Sequence, residues 1–330
     1  MTDLRETPLL SIVIVSWESG PDLLECVRSL AAASEEGRLE SAIELVVVDN
    51  ASREFEPGAV RPLWPGAQIQ VNESNRGFGP AANQGVALAR GEIVLFLNPD
   101  TRAVDDPFTP LLRAFANHPE PVAVAPRLLE SRPGGHEPQE MFQLRRLPSW
   151  PQALRELLLI DKAFPRSRAL MRERYADLDR EQPFEVEQPA AAALAVRREA
   201  FTRIGGFDEA FVPAWFEDVD LCTRLLPLGK ILYWPASRFV HGGGVAARTL
   251  GYDVFLPIHY RNAHRYWRKH RGAAAAVCYR VLVAVGMALR LLVLPLRPAP
   301  PRPRAEAARA YLRALRWAAG LGGRLPEIGR

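Results

Sequence analysis

"EIVLFLNPDT", residues 92–101, is the stretch on which the fold turns. An apolar run from Ile93 to Leu97 stops at Asn98-Pro99-Asp100. Its length suits a strand buried on both faces, as in a parallel sheet. A carboxylate at the end of such a strand is either a solvated residue in an Asn-Pro-Asp turn or a group with chemistry to perform. Residue type alone leaves both open.

Working outward, "LLSIVIVSW" (9–17) and "IELVVVDNAS" (43–52) are further β-branched strands, and "PVAVAP" (121–126) is a short one. Between them lie segments with helical spacing: "DLLECVRSLAAA" (22–33), with Asp22 as the expected N-cap, "GPAANQGVALAR" (79–90), closed by Gly91, and "PFTPLLRAFANH" (107–118). The alternation predicts an α/β protein with a mainly parallel sheet and helices on both faces. Ligands of such sheets bind beyond the carboxyl ends of the strands. Three strands there present polar groups: Ser16-Trp17-Glu18, Asp49-Asn50 and Asn98-Pro99-Asp100.

The first strand is followed by "SWESGPD", which holds one glycine, so neither a dinucleotide fingerprint nor a Walker loop is present. The glycines come in "NESNRGFGPAANQG" (72–85). Gly77 and Gly79 flank Phe78 where a helix begins, a place suited to close backbone approach and to an anion. A plain loop before an amphipathic helix explains the same residues.

At 330 residues the chain has room for one large or two modest domains, and its apolar and charged fractions are those of a globular protein. The polar, acidic opening predicts no signal peptide. Three cysteines, Cys26, Cys222 and Cys278, form no CxxC pair, which argues against a disulfide framework or zinc site and for a reducing compartment. The net charge of +4 is uneven: residues 259–330 hold 15 Lys and Arg against 2 Glu, a net +13, which leaves −9 for residues 1–258. An acidic body with a basic tail points to nucleic acid or an anionic membrane as the tail's partner.

Six segments, "SIVIVSW", "VVVDNAS", "NRGFGPAANQG", "FLNPDT", "GGFDEAFVPAWFEDVDLCTRL" and "FVHGGG", occur in that order. Together they resemble the inverting family 2 glycosyltransferases with a GT-A, nucleotide-diphospho-sugar transferase fold, in particular the bacterial rhamnosyltransferase-like branch. The resemblance spans residues 9 to about 270. It implies that Asp49 hydrogen-bonds the nucleotide base, with Ser16 and Trp17 lining the same pocket. Asn75, Gly77, Phe78 and Asn83 would meet ribose and the first phosphate. Asn98-Pro99-Asp100 stands where the family carries its metal motif, so Asp100 would hold a divalent Mg²⁺ or Mn²⁺ bridging the donor diphosphate, with Asn98 beside it. Hard oxygen ligands suit such ions, and the ion neutralises the charge that grows on a departing diphosphate.

Glu217, Asp218 and Asp220 cluster at the start of an apparent helix, where the dipole favours acids without any catalysis. The resemblance makes Asp218 the base that takes a proton from the acceptor hydroxyl, with Glu217 orienting the acceptor. His241, before Gly242–Gly244, is either a structural histidine or, by resemblance, a further metal ligand. Arg197 and Arg198 would contact an anionic acceptor or pair with surface acids, and Phe207 belongs to the core. Ala191 and Glu18 depart from the family pattern, which carries Gly and often Asn there. Residues 131–185 read as a variable loop and helix.

In the tail, 259–272 is helix-like, basic and aromatic, and 273–296 is long enough to span a bilayer. Arg280 and Arg290 lie about 80° apart around that helix at roughly 100° per residue. With its flanking arginines the segment reads as interfacial, drawn to anionic lipid through 259–297. A core helix packed on its own protein is the other reading. "PAPPRPR" (298–304) is a linker, and 305–324 a second basic amphipathic helix. No nucleic-acid module is expected.

The expectation is therefore a GT-A catalytic domain over 1–258, its donor half about 1–126 and its acceptor half about 186–258, followed by a basic helical extension over 259–330. The enzyme would move a sugar, L-rhamnose from dTDP-rhamnose first, to a hydroxyl of a lipid-linked or cell-surface glycan. It would work from the cytoplasm, peripheral on the inner face of the membrane. Two other classes fit parts of the pattern: a sugar nucleotidyltransferase, which normally needs a Gly-rich basic loop after the first strand, and a non-catalytic membrane-associated binding module.

Overall fold

A computed structural model of the chain describes residues 8–132, 135–139, 141–243, 251–296 and 302–321. By compactness the chain divides into two units, one holding the chain up to Leu147 with Arg174–Val245, the other Pro148–Glu173 with the chain from Ala246. Gly244 of the glycine run and residues 298–301 of the expected linker lie outside the described residues.

The first unit is built on one sheet. Strands β1 (Leu10–Ser16), β2 (Ile43–Asp49), β3 (Gln68–Val71) and β4 (Ile93–Leu97) pair in parallel in the order β3-β2-β1-β4. The later strands are β5 (Thr101–Ala103), β6 (Pro121–Arg132), β7 (Gly135–Pro138), β8 (Leu144–Arg145), β9 (Phe184–Glu185), β10 (Gln188–Pro189), β11 (Ala193–Arg197) and β12 (Lys230–His241), and all but β8 and β10 extend the sheet beyond β4. Strand β11 runs antiparallel between β4 and β6, β12 returns parallel to β6, and β5 closes the edge antiparallel to β12. Strands β8 and β10 pair apart from this sheet.

The register makes one edge. Ser16 lies opposite Asp49, and Ile14 opposite Leu97, so the carboxyl ends of β1, β2 and β4 coincide. At the far side Thr101 lies opposite His241.

Period-2 alternation sorts the apolar runs onto two faces. Ile12, Ile14, Leu45, Val47, Leu95 and Leu97 pack with Leu23, Leu30 and Cys26 of α1 (Gly20–Glu36) and, beyond the short α2 (Pro57–Val60), with residues from later in the chain. Val13, Val46, Val48, Val94 and Phe96 face α3 (Phe78–Leu88), whose Gly85 sits so close that a Cβ there would meet Val13 Cγ1 at 2.4 Å. Helix α4 (Phe108–Asn117) covers the first face with Phe108 and Leu111.

Three local expectations shift. The N-cap of α1 is Ser19; Pro21 and Asp22 stand inside the first turn, as Pro's fixed φ and an acid's preference for the dipole allow. Helix α3 ends at Leu88, because Ala89 is already extended. The strand expected at 121–126 runs to Arg132.

The second unit is helical. Helices α5 (Trp150–Leu157), α6 (Ile160–Ala163) and α7 (Arg168–Glu173) precede the return to the first unit, which adds α8 (Arg198–Arg203) and α9 (Glu217–Leu225). The second unit then resumes with α10 (Tyr252–Val293), which breaks at Gly272 (φ 86°), and α11 (Arg304–Ala318). A Ser149–Gln152 capping box starts α5, and Trp150 packs on Trp267 at 4.3 Å between ring centroids.

Arg280 and Arg290 do not form an open stripe. Arg280 donates to the carbonyls of Trp317 (3.0 Å) and Ala318 (2.8 Å), and Arg290 to those of Leu157 (2.6 Å) and Glu156 (2.8 Å). Each guanidinium caps the last turn of another helix, where the unpaired carbonyls collect partial negative charge.

Candidate active site

The turn after β2 is built on two residues. Asp49 is fully buried; its Oδ1 accepts from Ser52 Oγ (2.6 Å) and its Oδ2 from Ser52 N (2.9 Å). A carboxylate offers about four acceptor positions, so these bonds orient Asp49 without exhausting it. Ser16, also fully buried, lies 3.1 Å from Ser19 through the two hydroxyls, and Trp17 is half-buried. Glu18 carries the departure from the family pattern outward, to Arg53 Nε at 3.0 Å.

Asn50, named at the strand end but given no role by the sequence, is the hub of the glycine loop. Its amide nitrogen donates to Asn75 Oδ1 (2.8 Å) and the Gly77 carbonyl (3.1 Å), and its oxygen accepts from Arg76 N (3.0 Å) and Asn72 Nδ2 (3.1 Å). Asn75 Oδ1 also accepts from Gly77 N (2.9 Å). Gly77 has φ 89°, and a Cβ on it would meet the Pro213 carbonyl oxygen at 2.8 Å, so glycine is required for both reasons. Phe78 starts α3, donates from its N to that same carbonyl (2.7 Å) and meets Phe207 edge-on at 5.5 Å. Asn83 faces the 206–209 turn: it donates to the Phe207 carbonyl (3.0 Å) and accepts from Phe207 N (2.9 Å). Phe207 is buried in the core, as expected.

At the end of β4, Asn98 N donates to the Ala192 carbonyl (3.0 Å), and the Asn98 carbonyl takes Thr101 N (3.2 Å) and Oγ1 (2.7 Å). Asp100 is buried in the resulting turn, and its carbonyl accepts from Gly242 N (2.8 Å). The β5–β12 pairing brings His241 beside it, with Nε2 3.5 Å from Asp100 Oδ1 and 3.2 Å from Asn98 Nδ2. Residues 143 apart are thus joined by one antiparallel pairing. Among the described residues no group of three His, Cys, Asp or Glu gathers. Asp100 and His241 by themselves offer a carboxylate oxygen and an imidazole nitrogen on one side of a buried turn. The carboxylate suits a divalent Mn²⁺ or Mg²⁺, and the imidazole nitrogen suits Mn²⁺ better than the harder Mg²⁺, with further positions left for a ligand's oxygens.

The acidic helix start is α9. Trp215 (φ 72°) and Phe216 (φ 74°) enter it in the left-handed region, a costly conformation for aromatic residues. Glu217 is 7% exposed, and its Oε2 has no hydrogen-bond partner among the described residues. Burial pushes its carboxyl well above the ordinary range, and the neighbouring Asp218 adds to the rise. Asp218 is raised mainly by burial too, but the N–H groups of Val219 and Ala191 and the Arg145 cation oppose the rise. Gln188 Nε2 donates to its Oδ2 at 3.3 Å. Asp220 is fully buried and pairs with Arg224 (2.7 Å), which also donates to the carbonyls of Ile204 and Gly206. It is a structural acid within the trio.

Arg197 and Arg198 both bond main-chain carbonyls, contacts that the sequence reading did not name. Arg197 donates to the carbonyls of Pro121 (2.9 Å) and Phe115 (3.0 Å), and Arg198 to that of Gly91 (2.7 Å). Ala191 is absent from the positive-φ positions, so alanine fits where the family carries Gly. Arg145, Gln188 and Gln139 lie in or near the segment that sequence reading left unassigned. Each acts through a partner from about 30 to 100 residues away, and no local pattern marks such a pairing.

This architecture is that of the GT-A glycosyltransferases. It superimposes on GalNAc-T7 with UDP, GalNAc and Mn²⁺ (TM-score 0.56, 15% identity, 96% of this chain, 56% of that chain). It also superimposes on the mannosyltransferase PcManGT of Pyrobaculum calidifontis in complex with GDP-Man and Mn²⁺ (TM-score 0.52, 18% identity, 96% and 87% covered). The profile of glycosyl transferase family 2 matches residues 11–178, more than half of the chain, and the chain belongs to that family. It is similar to the N-acetylglucosaminyl-diphospho-decaprenol L-rhamnosyltransferase of Mycobacterium tuberculosis, 28% identical over 283 residues, covering 78% of this chain and 83% of the relative. Family and relatives make it a transferase.

Proposed function

We propose that this family 2 glycosyltransferase works by inversion, moving L-rhamnose from dTDP-rhamnose to a hydroxyl of a lipid-linked or cell-surface glycan. One observation carries the reading. Ala190–Ala192 joins the two chemical groups: the Ala192 carbonyl accepts from Asn98 N in the metal motif, and the Ala191 N–H reaches the Asp218 carboxylate. A bound metal and a base held on either side of one short segment suit a donor diphosphate and an acceptor hydroxyl meeting between them.

Asp49 binds the nucleotide base, with Ser16 and Trp17 around it. Asn75, Gly77 and Phe78 frame ribose and the first phosphate, and Asn83 contributes through the Phe207 turn it holds. Asp100 and His241 hold the cation, with Asn98 beside them; a bound Mg²⁺ or Mn²⁺ supplies positive charge against the leaving diphosphate. Asp218 accepts the acceptor's hydroxyl proton as that oxygen bonds to the anomeric carbon and the bond to the diphosphate breaks on the opposite side. Glu217, whose burial favours the protonated form, donates a hydrogen bond to the acceptor and orients it. One displacement inverts configuration. Residues 1–258 carry this chemistry, 1–126 on the donor side and 186–258 on the acceptor side.

Residues 259–330 keep the enzyme peripheral on the inner face of the cytoplasmic membrane. Tyr252–Leu296 is long and apolar enough to cross a bilayer by length and composition. What supports an interfacial position is an exposed apolar stripe, Val277, Val281, Val285 and Leu292 (51–73% exposed), following exposed Arg265, Arg268, Lys269 and Arg271. The relative's decaprenol-linked substrate is of the class such an enzyme would meet there.

Titration calorimetry with dTDP, UDP and GDP, with and without Mn²⁺, tests the donor site. Metal-dependent binding of one nucleotide, lost in Asp100→Ala, is expected; a folded sample that binds none overturns the site as drawn.

A further inference from the structure

We infer that Gln139 is the positioning residue that sets which nitrogen of His241 faces the cation. The inference rests on the metal site proposed above. Gln139 is 9% exposed, in a turn tied to β6 by its own N–H to the Leu128 carbonyl (3.0 Å). Its amide makes two bonds to one residue: Nε2 donates to the His241 main-chain carbonyl (2.9 Å), and Oε1 lies 3.0 Å from His241 Nδ1. The first bond fixes the amide's orientation, since turning it over would set two carbonyl oxygens against each other.

An amide oxygen can only accept, so Nδ1 carries the proton. In the neutral ring Nε2 then presents its lone pair, and that is the nitrogen 3.5 Å from Asp100 Oδ1. Asn98 Nδ2, 3.2 Å from Nε2, is a donor matched to the same lone pair. Phe142 stacks on the ring (5.4 Å, 20° between planes) and holds its plane. Two groups from separate parts of the chain, the Gln139 amide oxygen and Asn98 Nδ2, therefore agree on one tautomer, the one a metal requires. Without Gln139 the ring is free to take the other tautomer, and binding a cation would first require it to change. Loss of such a second partner typically weakens metal binding 10–100-fold.

Two measurements decide it. Side-chain ¹⁵N spectra of the metal-free protein at pH 8 are expected to show His241 protonated on Nδ1, and Gln139→Leu to move the population toward Nε2–H. Titration of Mn²⁺ alone, followed by the paramagnetic resonance of the free ion, is expected to give a Kd raised about 10–100-fold in Gln139→Leu. Asp100→Ala and His241→Ala are run beside it. If those two leave Mn²⁺ binding intact, the metal site fails, whatever Gln139 does. If they abolish it while a folded Gln139→Leu keeps both the wild-type Kd and the Nδ1–H tautomer, only the role of Gln139 is overturned. An Nε2–H ring in the wild type overturns it without any variant.

Discussion

Glu217 and Asp218 are adjacent in sequence and differ in what surrounds them. Glu217 has a buried oxygen without a partner among the described residues, while Asp218 has backbone N–H groups, Gln188 and Arg145. Environments that push two carboxyls apart assign the acid and the base between them. Asp218→Asn is expected to lower turnover by about 10²–10⁴-fold with nucleotide affinity unchanged, measured by single-turnover kinetics beside calorimetry. An equal loss of nucleotide affinity would show that Asp218 serves the donor instead. Glu217 has its folded-state pKa raised, so its contribution to stability is fully present below the unfolded value and is lost as pH rises through the folded one. Glu217→Gln should therefore melt higher than the wild type at pH 8, and the difference should vanish at pH 4. A difference constant across that range would mean that burial does not raise this carboxyl. The places of Asp100 and Asp218 were legible in the sequence, because one follows a recognisable strand and the other opens a recognisable helix. The partners of Gln139, Arg145 and Asn50 were not, because they are set by strand pairing and loop closure.

Among the elements, the buried strands were the clearest, since runs such as Val46–Val48 have no other stable place than the middle of a sheet. Their ends were less so. The start of α1 moved to Ser19 because a Pro-Asp pair suits a first turn as well as a cap. The loop between β3 and α3 owes its course to the Asn50 amide, which joins it to the end of β2. Asn50→Ala removes four hydrogen bonds and strands buried partners; a loss of about 3 kcal/mol in urea unfolding is expected, together with weaker nucleotide binding. A loss under about 0.5 kcal/mol, the size of an ordinary surface change, would show that the loop is seated by packing instead.

For the whole molecule, charge and hydropathy marked the tail as different from the body. They did not show that Pro148–Glu173 belongs with the tail, because helices α5 to α7 are short and carry no composition of their own. Only packing such as Trp150 on Trp267 reveals it. The exposed stripe on α10 gives the membrane proposal a sharp test by co-sedimentation with vesicles. Binding to vesicles rich in phosphatidylglycerol should exceed binding to phosphatidylcholine, each exposed Arg or Lys near the surface adding about 1 kcal/mol at low salt. Val281→Glu with Val285→Glu should reduce it at least about tenfold, two charges on the apolar face being worth more than 1.4 kcal/mol. Unchanged binding in that pair would locate the contact elsewhere.

Arg280 and Arg290 carry a consequence for anyone altering this segment. A count of residues scores both as charges that spoil an otherwise apolar stretch. Inside the fold they are the fasteners of two other helices, α11 and α5, each holding two terminal carbonyls. Leucine at both positions would give the sequence its most membrane-like form. It would also release the ends of the helices that α10 gathers around itself, so the change that most improves the segment's appearance would undo the unit to which it belongs.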